Sequence, residues 1–133
     1  MGCETRPDDH QWQWLFEGMA DHLAYLALED AGIVTEDAAA QRIREFSFGD
    51  PDALPLPSYE RPGPGLGDVY PLLHLGAAEA TAGMDDVETV TALSRFCADA
   101  GSGRPWREAF RQHLGRDVEQ VYAAVEQRRR SER

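Results

Sequence analysis

The stretch QWQWLFEGMADHLAYLALEDAG, residues 11–32, carries apolar residues along one face of a helix. They recur every three or four positions, as in an α-helix that packs against a core: Trp12, Leu15, Met19, Leu23 and Leu26, with Trp14 less well aligned. Gly32 follows the pattern and is typical of a helix end. The sequence therefore predicts a first helix that begins at Asp8 or Asp9, either of which can cap it, and ends near Asp30.

Further helical patterns follow, and none of the remaining sequence shows the alternation of a β-strand. They cover residues 36–48, 69–83, 86–100, 105–114 and 118–130. Most begin after a residue suited to capping exposed backbone amides: Thr35, Asp68, Asp85 with Glu88, and Asp117 with Gln120. At 133 residues the chain fits one domain. We predict an all-α, compact array of about six helices, with Gly115 ending the fifth.

Residues 49–68 differ in composition from the helical segments, since they contain five prolines and four glycines. This composition excludes a regular helix and predicts a long loop over residues 49–67. Loops of this length are uncommon in compact domains and are often functional. We interpret this one as a connector rather than as a lid. Residues 1–8 are expected to form a disordered N-terminus.

The formal net charge of −11 argues against a nucleic acid or an anionic membrane as a partner, because phosphates would be repelled over most of the surface. A basic tail over residues 127–133 is the exception, and we interpret it as a solvated, fraying helix end: Arg128, Arg129, Arg130 and Arg133. The sequence shows no signal peptide and no apolar run long enough to cross a bilayer. A soluble, cytoplasmic protein is therefore expected.

The chain contains four histidines: His10, His22, His74 and His113. None belongs to an H-E-x-x-H pair, which would place two imidazoles on one helix face around zinc. Glu17 and Asp21 are four residues apart and share a helix face, and His10 lies about two turns before Glu17. This spacing makes the three residues a candidate metal site, although a convincing zinc site needs three or four ligands that converge in space. His74 and His113 are interpreted as hydrogen-bonded structural histidines.

The segment WLFEGMADHLA, residues 14–24, resembles the W-L-x-E-G-x-A-x-Y segment of gluzincin metallopeptidases, the peptidase MA-like group with an H-E-x-x-H helix. In that family the glutamate of E-G-x-A is the third zinc ligand, and the resemblance places Glu17 at this position. Gly18 and Ala20 match the small residues beside it, which let a neighbouring helix approach closely. His22 stands where the family commonly has a tyrosine.

Two later stretches are similar to later parts of the same family. Residues 69–83 resemble a helix with a tyrosine, here Tyr70, and residues 101–126 resemble the closing pattern. The residues that match the closing pattern are Gly103, Trp106, Glu108, Ala109, Phe110, Gly115, Asp117 and Tyr122. The resemblance implies the C-terminal helical half of a gluzincin. It also implies the structural anchors Trp14, Gly18, Ala20, Trp106, Phe110 and Gly115.

The H-E-x-x-H segment of the family is missing from this chain. It would precede Glu17, and only 16 residues do so. A single carboxylate does not hold zinc strongly or activate its bound water. We therefore expect no catalytic residues and no cofactor in this chain alone, and zinc if the complete gluzincin site exists. Candidate auxiliary residues around Glu17 are His10, Asp21, His22 and Tyr70.

The sequence is compatible with several alternatives. The chain is a non-catalytic relative that kept the helical scaffold, or it is part of an active zinc metallopeptidase. In a second, enzymatic interpretation, the chain binds a metal through His10, Glu17 and Asp21. The ligands then come from one chain or from both chains of a dimer. In a third interpretation it is a small helical protein-interaction module unrelated to proteolysis, and an exposed Trp12 or Trp14 marks the partner surface.

A helical half without its catalytic half would expose an apolar seam on the first helix. The residues near this seam are Trp12, Trp14, Leu15 and Met19. The sequence therefore predicts either a homodimer or a partner protein bound through the first helix, or a repacked, self-contained bundle.

Overall fold

A computed structural model describes residues 11–43, 45, 54–61 and 70–131, apart from the side chains of residues 39, 43 and 70. In these ranges the chain forms six α-helices and a short 3₁₀ helix, with no β-strand. The α-helices are α1 (Gln13–Asp30), α2 (Glu36–Ile43), α3 (Tyr70–Ala80), α4 (Asp86–Gly101), α5 (Trp106–Leu114) and α6 (Val118–Ser131), and the 3₁₀ helix (Leu56–Glu60) lies between α2 and α3. The predicted all-α array is confirmed. None of the described helices combines the length and apolar character needed to span a lipid bilayer.

Local capping signals fix several helix starts as the sequence predicted. The Thr35 hydroxyl accepts a backbone N–H three residues on at 3.2 Å, at the start of α2. The Asp85 carboxylate accepts the backbone N–H of Glu88 at 2.8 Å, at the start of α4. At the start of α6, the backbone N–H of Asp117 donates to the Gln120 side chain at 3.1 Å, which is one half of a capping box. The predicted cap Asp68 lies outside the described residues.

The start of α1 differs from the prediction. The helix begins at Gln13, with Trp12 at the N-cap position and no side-chain capping bond, and the predicted caps Asp8 and Asp9 lie outside the described residues. The Trp12 indole is buried and meets the ring of Phe96 edge to face, with centroids 5.4 Å apart. Aromatic packing therefore holds the first turn of α1 where a polar cap was expected.

α1 and α3 cross in direct contact at a glycine. A Cβ atom added to Gly18 would lie 2.0 Å from the backbone carbonyl oxygen of Leu73, so no larger residue fits without separating the helices. On the facing helix, a Cβ at Gly76 would lie 3.0 Å from the Trp14 ring and 2.6 Å from the Leu56 side chain. One glycine on each helix thus removes the side chain that would hold the two helices apart.

Ala20 does not take part in this close approach, although the sequence predicted it as an anchor beside Gly18. Its side chain is exposed, whereas Gly18 is buried. Two residues along an α-helix are rotated by about 200°, so positions 18 and 20 face nearly opposite directions. Of these two residues of α1, only Gly18 makes the close contact.

The core is continuous and rich in aromatic rings. Trp14, Phe96 and Phe110 are completely buried. The other predicted anchors of the closing pattern belong to the same region: Trp106 is buried, and its ring meets the Phe110 ring edge to face at 6.3 Å. Gly115 ends α5 with a φ of +74°, a left-handed conformation that favours glycine.

The proline-rich segment contributes to the core where it is described. Residues 54–61 contain the 3₁₀ helix, and its Leu56 and Tyr59 side chains are buried. Proline is tolerated in the first turn of a helix because its missing N–H would have no partner there. This part of the predicted long loop is therefore a structural element rather than a plain connector. Residues 49–53 and 62–69 lie outside the described residues.

The C-terminal basic cluster is only partly solvated, contrary to the interpretation of a solvated, fraying end. α6 continues to Ser131, and the Arg129 side chain is 1% exposed, while Arg130 is exposed. The Arg129 guanidinium donates to the Glu126 carboxylate at 3.1 Å and to the Leu54 carbonyl oxygen at 3.4 Å. Arginine buries its aliphatic stem readily when its charged group has such partners, so this residue joins α6 to the segment that precedes the 3₁₀ helix.

We predict that Gly18→Ala lowers the free energy of unfolding by about 3 kcal/mol or more, because the new methyl group meets the backbone of Leu73 rather than a flexible side chain. Thermal and urea denaturation followed by circular dichroism measure this change.

The matched control is Gly101→Ala, at the last residue of α4. A Cβ there meets no atom within 4 Å, and the φ of Gly101 is not positive. We expect stability to change by less than about 1 kcal/mol, towards a more stable protein. Equal destabilisation by both substitutions would contradict the role of the α1–α3 contact.

Candidate functional site

Three polar side chains form a continuous hydrogen-bonded chain at the α1–α3 contact. The Asp21 carboxylate oxygen Oδ2 lies 2.8 Å from Nδ1 of His74, and Nε2 of His74 lies 3.1 Å from Nδ1 of His22. Asp21 and His22 belong to α1, and His74 belongs to α3. We call this arrangement the Asp–His–His chain. It is the most distinctive polar feature that the described residues bring together.

The close approach at Gly18 explains why these side chains meet. Asp21 lies three residues after Gly18, one helical turn further along the same face of α1. His74 directly follows Leu73, whose carbonyl oxygen faces Gly18. The glycine contact therefore brings α3 close enough for an imidazole on one helix to reach a carboxylate on the other.

Arg42 of α2 completes the surroundings of Asp21. Its guanidinium donates to the same Oδ2 oxygen at 2.8 Å, so that oxygen accepts from both Arg42 and His74. The Arg42 guanidinium also lies over the Tyr25 ring, 5.3 Å from its centroid, and the Tyr25 ring lies 5.4 Å from the His74 ring. These contacts fix the carboxylate on the side that faces His74.

The hydrogen bonds determine the tautomers of the two neutral imidazoles. An ionised Asp21 only accepts hydrogen bonds, so Nδ1 of His74 carries the proton. Nε2 of His74 then has a lone pair and accepts the Nδ1 proton of His22. The direction of donation runs from His22 through His74 to Asp21.

Burial favours the neutral form of His74. It lowers the pKa of the His74 imidazole, although the hydrogen bond and the charge of Asp21 act in the opposite direction. Arg42 opposes protonation, and the Glu29 carboxylate weakly favours it. Because Asp21 is already paired with Arg42, it gives less stabilisation to a second positive charge. The burial of His74 therefore decides the direction of the shift.

The pKa of His22 is lowered as well. Burial is the largest cause that lowers the pKa of His22, and repulsion from His74 adds to it, while Asp21 and Asp86 attract a proton. His22 is half-buried, so its ring lies at the solvent edge of the Asp–His–His chain. Both imidazoles are consequently less basic than histidine in an unfolded chain.

We predict that the free energy of unfolding falls as the pH is lowered through about 6.5, the pKa of an unfolded histidine. Below this pH the histidines of the unfolded chain bind protons, while those of the folded chain stay neutral, so protonation favours unfolding. At higher pH the histidines are neutral in both states, and the free energy of unfolding is not reduced. Urea denaturation in the presence of a chelator, about one unit on either side of pH 6.5, measures the difference. His22→Gln should reduce this pH dependence, and an unchanged dependence would contradict the prediction.

Glu17, the residue that the resemblance places at a zinc-ligand position, lies on α1 one turn before Asp21 and is half-buried. Of its candidate partners, His10 lies outside the described residues, and Tyr70 begins α3 with its side chain outside them. Asp21 is engaged by Arg42 and His74. The structure therefore brings two of these candidates, Asp21 and His22, to His74 of α3.

No group of three or more His, Cys, Asp or Glu side chains within the described ranges is arranged to hold a metal ion. The resemblance implies zinc held by Glu17 together with the two histidines of H-E-x-x-H, and this chain has no such pair. His22 and His74 do not replace that pair as partners of Glu17, because no three-ligand group among the described residues contains them. The residues present do not fit a complete gluzincin zinc site.

His74 and His113 are both hydrogen-bonded, as the sequence predicted. Nε2 of His113 lies 2.6 Å from Oδ2 of Asp99, and Arg104 donates to the same oxygen at 2.8 Å. The hydrogen bond from His113 is the largest cause that lowers the pKa of Asp99. Asp99 lies near the end of α4, and His113 lies in the last turn of α5, so this pair joins two helices away from α1.

Sequence reasoning missed the pairing of Asp21 with His74, which are separated by 53 positions. A usable signal was present in α3, where His74 stands within the apolar run YPLLHLGAA, residues 70–78. A buried polar side chain requires a hydrogen-bond partner, which has to come from a neighbouring element. The pattern did not indicate which helix would supply it.

The two tryptophans at the start of α1 are not exposed. Trp12 is 5% exposed and Trp14 is 0% exposed, and Leu15 and Met19 are also buried within the single chain. The interaction-module alternative took its support from an exposed indole, and this burial removes that support. A homodimer or a partner protein bound through α1 remains a prediction. Light scattering coupled to size-exclusion chromatography measures whether the chain is a dimer or a monomer.

Comparison with protein-family models, with curated proteins and with solved structures finds no match for this chain.

Proposed function

We propose that this chain is a helical scaffold similar to the C-terminal half of a gluzincin zinc metallopeptidase, with Glu17 at the position of the third metal ligand. By itself it lacks the H-E-x-x-H histidines and the general base. In this proposal the scaffold carries one ligand position and supplies no catalytic step alone.

The observation that carries the proposal is the packing of Gly18. In the E-G-x-A segment the glycine next to the glutamate would allow a neighbouring helix to approach, and Gly18 makes such a contact with the backbone of Leu73. The contact holds the adjacent Glu17 on a part of α1 that cannot shift without moving α3. A ligand carboxylate requires this kind of rigid support, because metal–ligand geometry tolerates little displacement.

The closing pattern gives independent support. Trp106 and Phe110 pack edge to face in the core, and Gly115 adopts the left-handed conformation that ends α5. Tyr122 of α6 is buried, with its ring 5.6 Å from that of Trp14 on α1. Residues from the first and last matched segments thus pack in the same core, which is expected if they belong to one inherited scaffold.

The proposal has an enzymatic and a non-catalytic form, and the genomic sequence separates them. For the enzymatic form, we expect the sequence upstream of Met1, read in frame, to encode H-E-x-x-H. The longer product should then hydrolyse peptides in a zinc-dependent manner, because the histidines would supply the missing ligands and Glu17 the third.

We predict that Glu17→Ala in that longer product weakens zinc binding by at least about tenfold and lowers peptidase activity with it. Asp30→Ala is the matched control, since Asp30 is an exposed acidic residue at the end of the same helix. Zinc affinity is measured by competition with a chelating dye, and activity with a fluorogenic peptide. Zinc binding that is unaffected by Glu17→Ala would rule out the ligand assignment.

An upstream frame without H-E-x-x-H would eliminate the enzymatic form. The non-catalytic form then predicts that the purified 133-residue chain shows no zinc-dependent hydrolysis above the buffer rate. Hydrolysis that persists in the purified chain and is abolished by a chelator would contradict it.

A further inference from the structure

The proposed scaffold function gives no role to the two imidazoles of the Asp–His–His chain. His22 and His74 come from different helices, and their facing nitrogens, Nδ1 and Nε2, are 3.1 Å apart. Two imidazoles bring their nitrogens this close when they share a proton or when they bind one ion.

The distance fits a shared ion. Zinc–nitrogen bonds of about 2.0–2.1 Å at a tetrahedral angle place two ligand nitrogens about 3.3 Å apart. The observed separation of 3.1 Å is therefore within a few tenths of an ångström of that spacing. In the observed hydrogen bond the two nitrogens point at each other, so binding an ion requires the half-buried His22 ring to swing until its Nδ1 leaves this line and its lone pair faces the ion.

The contacts around His74 are those of a supported metal ligand. Histidine ligands characteristically donate their second ring N–H to a carboxylate, which fixes the ring and makes it a better ligand. Nδ1 of His74 has this partner in Asp21, at 2.8 Å. Arg42 holds the same carboxylate oxygen at 2.8 Å, so Asp21 is placed to orient the histidine rather than to bind the ion itself.

Access and charge also favour a cation at this position. His22 is half-buried, so an ion can reach the pair from the solvent edge. Asp86, in the first turn of α4, and Asp21 both attract positive charge at His22. These carboxylates offset part of the repulsion that Arg42 exerts.

We propose that a divalent transition-metal cation binds between Nδ1 of His22 and Nε2 of His74, with Asp21 as the residue that positions His74. On binding, the Nδ1 proton of His22 moves to its own Nε2, so both facing nitrogens offer lone pairs and no net proton is released. Imidazole ligands select ions such as Zn²⁺, Ni²⁺ and Cu²⁺ over Mg²⁺ and Ca²⁺. Water fills the remaining coordination positions, since within the described ranges no third His, Cys, Asp or Glu completes the set.

Isothermal titration of the tag-free 133-residue chain with Zn²⁺ tests this site. We expect saturable binding of one ion per chain, and no saturable binding of Mg²⁺ in a parallel titration. His22→Gln removes one of the two proposed ligands and should weaken Zn²⁺ binding by more than the roughly 10- to 100-fold that loss of a supporting residue causes. The matched control is His113→Gln, which removes a histidine bonded to Asp99 instead and should leave Zn²⁺ affinity unchanged.

Asp21→Asn separates the positioning role from simple folding. It keeps the size of the side chain and a carbonyl oxygen for Nδ1 of His74 but removes the charge, and we expect Zn²⁺ affinity to fall by about 10- to 100-fold. Imidazole nitrogen resonances in NMR spectra provide the second readout: those of His22 and His74 should shift with Zn²⁺ while those of His113 stay constant. Circular dichroism confirms that each variant is folded at the titration temperature.

Two results would overturn the site: absence of saturable Zn²⁺ binding by the wild-type chain, or binding that His22→Gln leaves unchanged. Glu17→Ala distinguishes this inference from the proposed function. We expect it to leave Zn²⁺ binding by this chain unchanged, because Glu17 is not a ligand of the histidine pair. Binding that depends on Glu17 and not on His22 would contradict the histidine site while supporting the gluzincin-like scaffold.

Discussion

The contact between Gly18 and the backbone of Leu73 is the constraint on which the rest of the structure depends. It brings α1 and α3 together without an intervening side chain, and Gly76 accommodates the Trp14 ring on the same interface. Close packing of this kind is intolerant of added atoms, because the neighbouring group is backbone and cannot rotate away. The aromatic core and the Asp–His–His chain both lie next to this contact.

The Asp–His–His chain is a consequence of the same contact. Bringing two helices this close buries His74, and a buried imidazole has to be hydrogen-bonded. Asp21 meets that requirement. Arg42 balances the charge of Asp21 and joins α2 to α1. The result is a directional chain of hydrogen bonds that ends at the half-buried ring of His22. The helix packing, the hydrogen bonds of Asp21 and the proposed cation site therefore all depend on the contact between Gly18 and Leu73.

The outcomes for individual elements show which features a sequence pattern can predict. Thr35 and Asp85 were recognised as helix caps because each bonds to a backbone amide only three residues away. Arg129 looked like part of a solvated cluster, and Leu56 like part of a connector, yet both are buried. Their environments depend on segments that are distant in the chain: the Arg129 guanidinium reaches Leu54, 75 positions earlier. For the candidate site, the sequence identified Asp21 and His74 separately and with different roles.

The sequence by itself determined the helical class, most of the helix boundaries, and the position of a glycine beside a candidate ligand glutamate. These features depend on interactions within one or two helical turns, which composition and periodicity record directly. Only the tertiary structure decided that Gly18 rather than Ala20 makes the close contact, and that Asp21 pairs with His74. Both depend on the rotation of α1 against α3, which is set by the packing of the whole core and leaves no local pattern in the chain.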